Sequence, residues 1–341
     1  MTKHNKIFRA GLIISLILLL IAYFIPIPYY ISKPGMAREL EPIVDVEGGN
    51  SAEGRFMLTT IQMGKANVFT YALANMLSYW SIYEEDEIKG KDETDDEYEM
   101  RQMYLMEGSK EKAIISAFKA AGEEYETIYN GIYIYKVVEG MPAAGVLQPG
   151  DRITKVDQKK IESTSEFTAY ILNQKEGTEI ELELVRNDKT VHKSVKVKMN
   201  ADTGKVGIGI VLVDDIEVET TPEVEIDSSE IGGPSAGLMF SLEVYNQLVE
   251  EDITKGYEIA GTGTIDEKGT VGAIGGIDQK VVAADKSGAE IFFAPNEKGE
   301  EGSNYSVAVK TAKDIGTSMK IVPVDTMAEA LDYLANLEEK E

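Results

Sequence analysis

The stretch from Ala10 to Ser32 carries no charged residue, although 27% of this 341-residue chain is charged, and that run limits where the rest can fold. As a helix rising 1.5 Å per residue it would be roughly 34 Å long, enough to cross the hydrocarbon core of a bilayer. Pro26 and Pro28 would end the regular helix, and Tyr23, Tyr29 and Tyr30 suit the far interface. Lys3, Lys6 and Arg9 precede the run, which keeps 1–9 as a cytoplasmic tip and places everything after Ser32 outside. No small-x-small cleavage site follows the apolar core. The expectation is therefore an uncleaved single-pass anchor over 10–32 in the cell membrane, with the catalytic part extracytoplasmic.

What lies beyond the run is constrained by what the chain lacks. There are no cysteines, which excludes disulfides, thiol nucleophiles and cysteine-held metals. Only His4 and His192 are present, without partners at metal-ligand spacing, so a Ser-His-Asp triad has no base to use. His192 lies in "KTVHKSVKVKM", whose alternation reads as an exposed strand position. A net charge of −25 argues against nucleic acid as a partner, because phosphate recognition needs a basic face. Nothing in the sequence calls for a metal or other cofactor.

"EGRFMLTTIQMG" reads as a strand and "NVFTYALANMLSYWSIY" as a helix. The acidic run Glu84–Glu99 reads as solvated surface, and "EGSKEKAIISAFKAAGEEYE" as a helix capped by Ser109 and ending near Gly122. From about Ile128 to Met199 short strands and turns take over. Here "PAAGVLQPGDRITKVD", Pro142 to Asp157, followed by a helix in "STSEFTAYILNQKEG" and two closing strands, resembles a PDZ domain. The resemblance implies that an extended peptide adds as a strand beside the sheet, with loop N–H groups near Asn130, Gly131, Ile132 and Tyr133 capturing its end. Beyond Met199, "VGIGIVLV" and "EVEIDSS" read as strands, and helices and strands then alternate to the end.

The chemistry concentrates in two later segments. In "EIGGPSAGLMFSLEVYNQL", Pro234 suits a first helical position and puts Ser235 in the first turn, where free N–H groups and the helix dipole stabilise an oxyanion. A glycine-rich helix start with a capping serine also occurs for packing alone. In "GGIDQKVVAADKSGA", Lys280 shares a helix face with Ile277, Ala283 and Ala284, and burial there pulls a lysine pKa toward the range of a general base. With histidine excluded, a Ser–Lys pair is the nucleophile and base the composition still permits.

"GGPSAG" followed by "GTGTIDEKGTVGAIGGIDQKVVAADKSGAEIFFAPNE" resembles the proteolytic domain of Lon-type proteases. By that resemblance Ser235 is the nucleophile, Lys280 its base, Thr262 a threonine bonded to the lysine, and Gly233 and Pro234 contact substrate. The resemblance runs from about Phe56 to Leu334. It implies an α+β fold of the ribosomal protein S5 domain 2-like kind, with its first part at 37–124, an inserted PDZ domain at 125–200 and its second part at 201–337. The whole order resembles the membrane-anchored, PDZ-containing Lon-like proteases of the YlbL/SepM type from Gram-positive bacteria. Where many Lon proteases carry an aspartate three residues before the serine, this chain has Gly232, so that carboxylate's role is missing or is taken by Glu230. No G-x-x-x-x-G-K-[ST] motif occurs, so the ATPase of Lon is not expected. The implied activity is ATP-independent serine endopeptidase action on secreted or membrane-bound peptides and proteins, with a homo-oligomer left open. A PDZ adaptor or an extracytoplasmic chaperone without catalysis are the competing readings.

Overall fold

A computed structural model describes residue 13 and residues 23–90, 93–200, 204–229 and 231–340. The expected anchor falls mainly outside these residues. Among the described residues no helix is long and apolar enough to cross a membrane. The far end of the expected anchor needs correction, because Pro26–Glu39 is a strand in which Tyr30, Ile31 and Ser32 are buried. Prolines at 26 and 28 hold the chain extended, and Tyr30 and Ile31 then pair with Lys65 and Gly64.

That strand belongs to a six-stranded sheet in the order Lys320–Val324, Ile291–Pro295, Glu258–Gly261, Arg55–Asn67, Pro26–Glu39 and Ser81–Glu84. The first four run parallel and the last two joins are antiparallel. Both faces are covered, as the sequence requires. Successive strand residues point to opposite sides, so Phe56 and Leu58 enter one core with Leu238, Phe240 and Leu242, while Met57 enters another with Ile277, Val281 and Ala284. The helix Gly237–Leu248 thus lies on one face and the helix Ile277–Lys286 on the other. Each large side chain fully buried this way stabilises the fold by about 1.5–3 kcal/mol.

The acidic run is largely helix surface, one of the two forms its composition suggests, with Asp86, Glu87, Asp95, Asp96 and Glu99 exposed and Glu93 buried. Its second half opens the helix Asp95–Ala121, with Thr94 as N-cap, Asp95, Asp96 and Glu97 in the first turn, and Gly122 in the left-handed conformation at its end. Carboxylates at a helix start are stabilised by the dipole, and this explains the charge density. Ser109, expected as an N-cap, is buried in the middle of this helix.

The inserted unit has its own core, including Ile132, Ile153, Phe167, Ile180, Leu182 and Ile208. Its sheet runs Ile210–Thr220, Tyr125–Val137, Arg152–Val156, Glu179–Arg186 and Lys189–Lys196. The core therefore extends past the expected boundary at 200. Strands Tyr125–Val137 and Ile210–Thr220 form one long antiparallel ribbon, from Tyr125 opposite Thr220 to Val137 opposite Ile210. Tyr125 and Val218 pack on the core beside the six-stranded sheet, whereas Ile132, Ile134 and Leu212 pack in the inserted one. The ribbon is the connection between the two.

Candidate active site

Three segments meet at the C-terminal end of strand Glu258–Gly261. Thr262 follows the strand directly, and its N–H donates to the Phe293 carbonyl of the neighbouring strand. Gly263 then passes so close to its surroundings, with φ of 158°, that a Cβ would come within 2.7 Å of Val271 Cγ1. That approach lets Gly263 N–H donate to the Ser235 carbonyl at 2.9 Å and its own carbonyl accept from Leu238 N–H at 3.1 Å. The serine loop is clamped to the sheet.

The clamp also changes the predicted helix start. The helix begins at Gly237 with Ala236 as N-cap, so Ser235 lies just outside the helix and not in its first turn. The reason is local. The Ser235 carbonyl accepts from Gly263 N–H and from the Thr262 hydroxyl at 2.9 Å, and the first helical bond runs from Phe240 N–H to the Ala236 carbonyl.

Lys280 reaches the same point from the opposite face of the sheet. Its Nζ lies 2.8 Å from Ser235 Oγ and 2.9 Å from Thr262 Oγ1. Thr262 has one hydroxyl hydrogen, which goes to the Ser235 carbonyl, so toward Lys280 its oxygen accepts. The lysine is only 2% exposed, and burial pulls its pKa down from 10.5 to about 7. A substantial neutral fraction exists at neutral pH, with one N–H fixed on Thr262 and a lone pair free for the serine proton. Ser235 itself is half-buried at the edge of a cleft of about 540 Å³. Gly233 and Pro234 line the same cleft, together with Met36, Ile61, Met63, Tyr98 and Gln102. The loop is pinned from the side by the helix Asp95–Ala121: Gly233 N–H donates to the Gln102 carbonyl, and the Ser109 hydroxyl to the Pro234 carbonyl. Neither residue was singled out for this role, since nothing local in sequence links them to a loop more than a hundred positions away. Glu230 lies outside the described residues.

The residues expected to form the peptide-capturing loop do not join any such site. Asn130, Gly131, Ile132 and Tyr133 lie inside the ribbon strand, where Ile132 pairs with both Asp214 and Ile153. Gly131, at φ of 125°, is required because a Cβ would come within 2.3 Å of the Ile153 carbonyl oxygen. Its glycine serves close strand packing. The open sheet edge is instead Ile210–Thr220, which pairs on one side only. Between that edge and the helix Thr164–Leu172 lies a groove of about 210 Å³, lined by Phe167, Ile171, Leu172, Ile208, Ile210 and Leu212 and entered past Gly207 and Gly209. The Gly-Ile-Gly-Ile run at 207–210 was the available signal, but it reads locally as a strand.

Residues 118–197 match the PDZ domain family and residues 219–336 match the Lon protease (S16) C-terminal proteolytic domain. The chain carries a PDZ domain and a Lon-type proteolytic domain. The Lon protease of Mesomycoplasma hyopneumoniae is 31% identical over 102 residues, covering 30% of this chain and 11% of that protein. That of Campylobacter jejuni is 28% identical over 144 residues, covering 40% of this chain and 17% of that protein. The chain thus spans a small part of these relatives' length. The PDZ domain of an SdrC-like protein from Listeria monocytogenes is 36% identical, covering 25% of this chain and 90% of its own, with a TM-score of 0.24. That of an SdrC-like protein from Listeria innocua is 35% identical, covering 24% and 92%, with a TM-score of 0.23. The Lon-type match includes Ser235, Thr262 and Lys280, whereas the PDZ match stops before the open edge strand.

Proposed function

We propose that this protein is an ATP-independent serine endopeptidase with a Ser235–Lys280 dyad, anchored in the cell membrane with its cleft outside. The observation that carries the reading is a buried lysine amine 2.8 Å from a half-exposed serine hydroxyl. The neutral amine takes the Ser235 hydroxyl proton as Oγ attacks the substrate carbonyl carbon. Backbone N–H groups of the Ser235–Ala236 segment hold the resulting oxyanion, and Lys280 passes its proton to the departing amine. Water then attacks the acyl-enzyme with the same base, releasing the acid and restoring Ser235.

The groove beside Ile210–Thr220 suits an extended segment added as a strand, which raises its concentration near the cleft. No phosphate-loop motif is present in the sequence, so substrates are peptides, loops or unfolded tails of exported or membrane-bound proteins. This matches the order of parts in the YlbL/SepM type. The uncharged run preceded by Lys3, Lys6 and Arg9 supports the anchor and its orientation.

The full chain in lipid nanodiscs, offered a peptide library, should cleave and should be labelled at Ser235 by a fluorophosphonate. Ser235→Ala should abolish both and Lys280→Ala should slow both by roughly 10²–10⁴-fold, while peptide binding persists. Binding without cleavage or labelling by the unaltered chain would leave the adaptor reading in its place.

A further inference from the structure

We propose that the face built from Tyr23–Ile25 and the segment Val68–Leu77 rests in the headgroup layer of a lipid bilayer, so that the protease domain lies on the membrane and does not hang free of it. The inference rests on the anchor reading above.

The helix Val68–Ala74 is amphipathic in the wrong sense for a surface helix. Ala74 faces inward, while Phe69, Leu73 and the following Met76, spaced i, i+4 and i+7, face outward and are exposed, Met76 to 81%. Val68 and Leu77 widen the same exposed face. From Ala66 to Tyr83 there is no charged residue, in a chain with 59 acidic and 34 basic side chains. Contiguous apolar surface of this kind marks an interaction site.

The position of the other uncharged run names the occupant. That run enters the continuous described stretch at Tyr23, whose ring packs 6.2 Å from Phe69, and Phe24 beside it is 72% exposed. The two uncharged stretches converge at one place. Around them sit Tyr29 against Tyr71 and Lys33 over the Trp80 ring, the amphipathic residues that favour the bilayer interface. A face that continues the chain emerging from its anchor is held at headgroup depth, with the cleft a fixed height above it.

The absence of cysteine makes the test direct. Single substitutions Phe69→Cys, Met76→Cys and, as a control in the PDZ domain, Met199→Cys are labelled with an environment-sensitive nitrobenzoxadiazole in the full chain. The protein is placed in phosphatidylcholine and phosphatidylglycerol vesicles carrying headgroup-level nitroxide lipids. Labels at 69 and 76 should be quenched at least about threefold more than at 199, with blue-shifted emission. Equal, weak quenching at all three in vesicle-bound protein would overturn the proposal and leave the anchor standing. Failure to float with vesicles would remove the anchor and this inference together. Label-to-label quenching between copies without lipid quenching would assign the face to a second copy and overturn it.

Discussion

Ser109 donates a 3.0 Å hydrogen bond to the carbonyl of Pro234 across 125 positions of sequence. The peptide unit joining Pro234 to Ser235 is planar, so fixing its carbonyl toward Ser109 directs the Ser235 N–H the other way. In the proposed mechanism Ser109 thereby orients the Ser235 N–H that would hold the oxyanion. Ser109→Ala should lower kcat by roughly tenfold or more, with KM little changed. Thermal unfolding should move by about 1 kcal/mol, the worth of one hydrogen bond, so the loss of rate would exceed the loss of stability.

The pH dependence follows from Lys280. Its folded pKa is about 7 against 10.5 when unfolded, so the neutral base is populated as pH rises through about 7. Cleavage of a short peptide should rise through that range to an alkaline plateau. Stability should follow the same sign: between the two values the unfolded chain binds more protons, so this residue's penalty shrinks as pH rises. Lys280→Met should unfold at higher urea than the unaltered chain at pH 7, and the difference should narrow toward pH 10. Losing the base should cost roughly 10²–10⁴-fold in rate.

Thr262 accepts from Lys280 with its oxygen while its hydrogen holds the Ser235 carbonyl, and in the proposed mechanism it positions the base. Thr262→Val keeps the shape and removes both bonds. The rate should fall by roughly tenfold, part of the general-base contribution. An ammonium that has lost an acceptor is less favourable, so the midpoint of the pH–rate curve should also move to lower pH. A merely structural threonine would leave that midpoint in place.

The meeting of Ser235 and a buried Lys280 was legible because its signals are local: glycines, proline and serine at a loop, and an amphipathic helix that must bury Lys280. The strand over Arg55–Asn67 was legible for the same reason, since the apolar run Phe56–Leu58 is written in adjacent residues. What failed depended on distant partners. Asp95 and Asp96 are exposed as their charge implies, but the place of Asp95, Asp96 and Glu97 in the first turn of a helix was not read. Ser109 reads as a cap until the helix before it is known. Gly207 lies in the short strand Val206–Gly207 as read, but Gly209 falls between it and Ile210–Thr220, and their shared place in the groove was not read, because an open sheet edge is a property of what is not paired beside it. The uncharged residues from Pro26 to Ser32 suit a membrane or a buried strand equally well by composition, and pairing with Lys65, Gly64 and Met63 decides for the strand.

Capture and cleavage should separate by mutation. Leu172 is exposed on the groove wall, so Leu172→Asp adds a charge there at little cost to the PDZ core. Affinity for extended apolar peptides should fall at least about tenfold, equivalent to about 1.4 kcal/mol. Cleavage of short chromogenic peptides, which occupy only the cleft, should stay unchanged in the same preparation. A parallel loss of both would mean that the groove and the cleft are not independent.

A buried acid links the two domains to pH. Glu111, on the helix Asp95–Ala121, packs against the ribbon, bonds the backbone of Val218, and leaves its Oε2 buried without a partner. Burial pushes its carboxyl up from 4.5 to about 7, with Glu107 and Glu217 adding to the effect and Lys110 opposing it. A raised folded value means that the native state holds the proton more tightly than the unfolded chain between about 4.5 and about 7. The stability it gives is complete below that window and is lost as pH rises through it. Glu111→Gln, which stays neutral, should therefore gain in urea midpoint relative to the unaltered chain on going from pH 4.5 to pH 8. Because Glu111 faces the ribbon, amide exchange along Glu217–Thr220 should quicken above pH 7 in the unaltered chain and stay flat in the variant once corrected for intrinsic rates. Equal pH dependence in both chains would place the ionisation elsewhere, with Glu243, also pushed up to about 7 by burial, as the group to substitute next.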